Sequence, residues 1–240
     1  MTATRPSGTG QITLPRQTHT AEGPHDQTGM YVMHHAFRRD LERFVVAVRR
    51  TPVEDHEVWL ALQARWAFFD ETLHHHHGVE DTSIWPVLMQ HAESTRDEAD
   101  LATLAAMEAE HATIDPGLAE VRAAFERVVE RPSEDHRNAL DIRLTALSEA
   151  LLAHMRHEET EALPMIQRTL STEEFAAAEK AAQRAYPLRT VPALVPWVLD
   201  ELPAEGRERM FAMAGSAYRL LAKLFVPRYE RREKVAFRYL

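Results

Sequence analysis

The chain has 240 residues, 45% of them apolar, and a formal net charge of -9. That is enough apolar content for a core, and the acidic balance excludes a general nucleic-acid or anionic-membrane surface, which needs a basic footprint. There is no cysteine, so disulfides, thiol catalysis and thiolate metal sites are excluded, and any metal must sit on histidine and carboxylates.

Ala, Leu, Glu and Arg dominate while Val, Ile and Thr are sparse, which favours helix along most of the chain. Residues 1–29 are rich in Thr, Gly, Pro and Gln without an apolar period and read as a flexible leader. They lack the apolar run of a signal peptide, and no stretch of about 18 apolar residues occurs anywhere, so a cytoplasmic protein with no membrane span is expected.

From Met30 the pattern changes. Phe37, Leu41, Phe44 and Val48 recur at helical spacing, and the helix ends at Arg50 or Thr51. Thr51-Pro52-Val53-Glu54 reads as a cap, a first-turn proline and a capping-box acid, opening a second helix that runs through the histidine cluster towards Pro86. Thr95-Arg96-Asp97-Glu98 opens a third, through Leu104, His111, Leu118 and Phe125, with a kink expected at Pro116. After Arg131-Pro132-Ser133 a fourth helix runs through Leu140, Leu147, His154 and Glu158 to Pro164. These predict an all-α fold, an up-down antiparallel four-helix bundle over residues 30–170. Residues 171–240 form a C-terminal helical extension: a capped helix from Ser171, a proline-punctuated stretch 187–203 and a helix from Ala204 to Phe225. The basic end, PRYERREKVAFRYL, reads as a solvated tail or as a strap docked on an acidic face.

The bundle contains a repeat. His76-x3-Glu80-Asp81-x4-Pro86 and His154-x3-Glu158-Glu159-x4-Pro164 share one pattern, and each is preceded by apolar residues seven and three positions earlier. Residues four apart share a helix face, so each segment projects an imidazole and a carboxylate from the stripe that builds the core. The preceding helices repeat too: His34 lies 42 residues before His76, and His111 lies 43 before His154. Of the neighbours His34 and His35, His34 keeps the core phase. Within Leu73-His74-His75-His76-His77, His76 keeps it, His74 and His75 point elsewhere, and His77 is flanking. Two carboxylates buried among imidazoles with no Lys or Arg on the same face require a compensating cation. The expected ligands are His34, His76, Glu80, His111, His154 and Glu158. His35, His77, Glu108 and His157 are candidates for outer ligands or supporting groups. Nitrogen and oxygen ligation with two shared carboxylates suits a pair of irons best, ahead of manganese or zinc.

These residues resemble the hemerythrin-like (HHE cation-binding) family, over about residues 30–170. The resemblance implies a non-haem di-iron centre with a solvent-derived bridge, in which Glu80 and Glu158 link the irons, His34 and His76 serve one metal, and His111 and His154 serve the other. Oxygen-carrying members have a further histidine one turn before the position of His111, where this chain has Met107, and an Asp five residues after their last histidine, where this chain has Glu158 at four. A ferritin-like carboxylate bundle is the rival, since Glu71-x-x-His74 and Glu108-x-x-His111 match its motif formally, but Glu71 and His74 lie off the core stripe.

A metal pair short of ligands leaves positions for O2 or peroxide. The expected function is therefore a di-iron oxidoreductase that binds and activates O2 or hydrogen peroxide, in an oxidase-, peroxidase- or catalase-like reaction or on a small organic substrate. The alternative is a non-enzymatic module that binds, stores or senses O2, NO or iron. In the extension, Trp197, Met210, Phe211, Met213, Tyr218, Leu221 and Phe225 could cover one end of the bundle and shape a pocket, although ordinary core packing is the favoured reading.

Overall fold

The computed structural model describes residues 10–187 and 189–240, and every regular element among them is helical. Helix α1 spans Thr28–Arg50 and buries the expected stripe of Phe37, Leu41, Phe44 and Val48. Thr51 ends it, sending both its N–H and its hydroxyl to the Ala47 carbonyl at 2.9 and 2.7 Å. With its side chain so engaged, Thr51 does not cap the next helix as expected. Asp55 does, accepting from the Val58 N–H at 3.3 Å, and α2 spans His56–Val79.

The chain does not stop being helical before Pro86. It passes through a π-helical turn, Glu80–Ile84, directly into α3, Trp85–Thr95. Thr95 belongs to that helix, its hydroxyl bonding the His91 carbonyl at 3.0 Å; Asp97 instead caps α4, accepting from the N–H groups of Ala99 and Asp100, each at 3.1 Å. α4 spans Glu98–Glu130 and continues through Pro116 as one helix. Ser133 caps α5, Glu134–His157, accepting from the His136 N–H at 3.2 Å. A second π-helical turn, Glu158–Ala162, leads into α6, Leu163–Thr169. In both wide turns an N–H reaches back five residues, Trp85 to Glu80 and Leu163 to Glu158. Pro86 and Pro164 follow at once, lacking an N–H just after the ladder changes step. The repeated His-x3-Glu-acid-x4-Pro pattern therefore marks a widened turn within a continuing helix, where the sequence reading expected helix ends.

The extension forms α7, Thr172–Ala185, opened by a reciprocal Ser171–Glu174 capping box, then α8, Val191–Leu199, and α9, Ala204–Ala236. α9 runs beyond the expected end at Phe225 and changes direction at Gly215, whose φ of 77° an L side chain rarely adopts. Trp197 completes the core: its indole N–H donates to Asp40 at 2.6 Å and its ring packs on Phe37 and Phe68. The basic end is a strap on the acidic start of α2. Arg238 donates to Asp55 and Glu57 at 3.1 and 2.7 Å, Tyr239 donates to Asp55 at 2.8 Å, and Phe237 packs on Phe44.

The expected leader is corrected by its contacts. Residues 1–9 lie outside the described part, but Ile12, Leu14 and Ala21 are buried. The Ala21 N–H donates to the Tyr31 hydroxyl at 2.8 Å, and Gln167 exchanges two hydrogen bonds with the His25 backbone at 2.8 and 2.9 Å. An irregular segment satisfying its backbone groups on side chains follows no helical period, which is why composition read it as free. Among the described residues no helix is long and apolar enough to cross a membrane.

Candidate metal centre

Seven side chains from α1, α2, α4, α5 and the two π-helical turns converge in the interior. Ligand-type atoms of His34, His76 and Glu158 lie within 4.8 Å of one another, as do those of His77, Glu80, His111 and His154, and all seven residues are buried. The two carboxylates lie between the groups. Glu80 approaches His76 Nε2 at 3.1 Å with one oxygen and His111 Nε2 at 3.5 Å with the other, and Glu158 Oε2 is 3.0 Å from His34 Nε2 and 3.9 Å from His154 Nε2.

All six expected ligands are thus brought together, and His77 joins them. His77, read from the sequence as flanking and as a candidate outer ligand, lies within the cluster itself. Consecutive residues are about 100° apart around a helix, so His76 and His77 border one wide interior stripe at the point where α2 gives way to the wide turn. His76 faces His34 edge-on at 5.5 Å, while His77 stacks on His111 at 4.0 Å with 9° between the ring planes. His74 and His75 do point away, His74 towards Asp70 and Asp115 and His75 towards Glu71. His35 lies outside the cluster, with Nε2 3.3 Å from the Glu201 carbonyl. Glu108 is exposed, so it is corrected as a supporting group, and with His74 turned outward the ferritin-like pairing has no counterpart here.

Behind the inner groups stand three carboxylates. His34 Nδ1 donates to Glu159 at 2.9 Å, His111 Nδ1 to Asp81 at 2.8 Å and His154 Nδ1 to Glu110 at 2.8 Å. His157 also donates to Glu110, at 2.8 Å, and so supports from outside. Each such bond fixes the tautomer in which the Nε2 lone pair faces the cluster. Asp81 and Glu159 are the second acids of the two repeats, a signal visible in the sequence; Glu110 carried none. Arg38 shares Glu159 at 2.6 Å, and the Thr18 N–H binds its other oxygen at 2.7 Å.

The electrostatics are those of groups forced together away from water. Burial, reinforced by His34, lowers His76 to about 3; burial with His111 nearby holds His77 well below the imidazole range. For His34 burial acts downwards but is outweighed by Glu158 and Glu159, leaving it raised to about 9. Burial and the Glu158 charge push Glu80 well above the carboxylate range. Both oxygens of Glu80 and of Glu158, His34 Nε2 and both nitrogens of His77 are buried with no hydrogen-bond partner among the described residues. Such unpaired groups are costly, and a cation would satisfy the carboxylate oxygens and the imidazole lone pairs that face them. The residues present fit a metal.

A model of the hemerythrin HHE cation-binding domain matches residues 26–166, more than half of the chain. No curated protein and no solved structure gave a match.

Proposed function

The chain belongs to the hemerythrin HHE cation-binding family, and from that premise we propose that it is a di-iron protein that binds and activates O2 or hydrogen peroxide. In this reading the bundle is up-down antiparallel, His34 and His76 serve one iron, His77, His111 and His154 serve the other, and Glu80 and Glu158 serve both. The position of each carboxylate between two imidazole groups, at the distances given above, supports that sharing. Iron bound there would supply the electrons that reduce O2 or peroxide. The protein's part is to hold the Nε2 atoms of His34, His111 and His154 inward through the acceptors Glu159, Asp81 and Glu110, and to surround the site with buried apolar side chains such as Phe37, Met107 and Ile114.

The observation that carries the reading is the uneven division of imidazoles, three against two. The side with fewer is where an exogenous ligand finds room, and an apolar cavity of about 420 Å³ reaches His76 and Glu80 there. A second reading, reversible binding or sensing of O2, NO or iron in a cytoplasmic setting, is favoured by His77, which brings the imidazole count to five although Met107 occupies the place where oxygen carriers have theirs.

One experiment separates the two. Protein from iron-supplemented medium is analysed for metal, then mixed with peroxide while oxygen release is followed, and its reduced form is mixed with O2 in a stopped-flow spectrometer. Activation predicts about two irons per chain and consumption of peroxide. A long-lived, reversible O2 adduct with no peroxide consumption overturns activation in favour of binding, and stoichiometric zinc overturns both.

A further inference from the structure

The cavity beside His76 and Glu80 is not built by the matched domain alone. Met33 of α1 and Ile166 of α6 form one wall, and Phe175 of α7, Leu194 of α8 and Met210 of α9 form the other. The second wall lies wholly outside residues 26–166. Most of these side chains are only partly buried although they pack against the core, so the extension stands over the bundle as a roof rather than closing onto it.

The volume of about 420 Å³ lies within the range of about 300–1,000 Å³ typical of small-molecule sites, and is far more room than a diatomic gas or peroxide needs. The lining chemistry restricts the occupant. No Lys or Arg lines the cavity among the described residues, whereas Asp26, Glu80 and Glu179 do, so a carboxylate or phosphate ligand would meet acids with no counter-charge. The remaining surface is mostly Met, Leu, Val, Ile, Ala and aromatic, with Gln27, Gln183 and the Tyr186 and Tyr218 side chains as its few neutral polar groups besides His76. Methionines at positions 30, 33, 210 and 213 give a wall that adapts to irregular apolar shapes.

We infer that this cavity is a binding site for a neutral, apolar organic molecule, whose inner end lies against His76 and Glu80. The site itself follows from the cavity; that its occupant adjoins a metal rests on the function proposed above. Recognition is by shape and desolvation, with at most one or two neutral hydrogen bonds to orient the molecule.

The test uses the full chain and the uncharged fluorophore N-phenyl-1-naphthylamine. Saturable binding with enhanced fluorescence is expected with and without added metal, displaced by naphthalene and not by naphthalene-2-carboxylate at the same concentration. Ala182→Trp and Leu194→Trp, which fill the cavity from α7 and α8, should each weaken the probe tenfold or more at unchanged metal content. Cobalt(II)-loaded protein should quench the bound probe relative to zinc(II)-loaded protein. Absence of saturable binding to the unaltered protein, or equal displacement by the carboxylate, overturns the inference, as does full affinity in both variants. The unaltered chain decides the matter even if the variants fail to fold. Probe binding in a protein that takes up no metal would instead overturn the metal centre and leave the cavity's role standing.

Discussion

His77 stacks face to face on His111, ring centroids 4.0 Å apart and planes 9° from parallel, although the two come from different helices. The contact gives His77 a place in the interior that its neighbours His74 and His75 do not have. It follows that His77→Ala should remove roughly one of two metal ions per chain, as should His111→Ala or His154→Ala, whereas His74→Ala and His75→Ala should retain both. Metal analysis of the five purified variants checks this. Full metal content in His77→Ala would show that the stack is only packing.

Met107 is fully buried, and with His77 already facing His111 no ligand is wanted from it. Met107→His should therefore place a polar ring in a packed apolar position and cost about 1–3 kcal/mol, lowering the melting temperature without raising metal content. A variant as stable as the parent with an altered metal spectrum would mean that position 107 reaches the metals after all.

The three outer carboxylates should be felt at the metals. Asp81→Asn and Glu110→Gln are expected to weaken metal binding about 10–100-fold with helix content unchanged, measured by competition with a chelator of known affinity. Glu159 also holds Arg38 and the Thr18 N–H, so Glu159→Ala should in addition expose residues 10–27 to proteolysis. Equal resistance of parent and variant to a protease would refute that second role.

Asp40 joins three helices away from the metals, accepting from Arg39 of α1, Arg65 of α2 and Trp197 of α8. Burial alone would raise its pKa, but Arg65 and Arg39 outweigh burial and hold it below the usual carboxylate value. A depressed carboxylate contributes stability that is complete above its unfolded pKa of about 3.9 and is lost as pH falls through the lower folded value. Denaturant melts from pH 6 downwards should show the parent losing stability below about pH 4, with Asp40→Asn less stable at pH 6 and flatter in the acid range. Parallel pH profiles would remove Asp40 from the acid response.

What could be read from the chain by itself is what local geometry dictates. Imidazole and carboxylate four residues apart share a face of any helix, so His76 with Glu80 and His154 with Glu158 were legible as two halves of one site, and the matching phases of His34 and His111 supplied the facing pair. The cap at Ser171 depends on a neighbour three residues away and was legible for the same reason.

Everything set by distant partners was decided by the tertiary structure. His77 is phase-ambiguous on α2 until His111 stacks on it, and Glu110 becomes an acceptor because His154 and His157 of another helix point their Nδ1 atoms there. Residues 10–27 have no periodicity of their own and are held by scattered hydrogen bonds to groups that include Tyr31, Glu159 and Gln167. The cavity is assembled from α1, α2, the first π-helical turn, α6, α7, α8 and α9, and no stretch of sequence contains it. Its volume comes from how far apart those helices are held by their own packing, a long-range quantity that spacing along the chain does not encode.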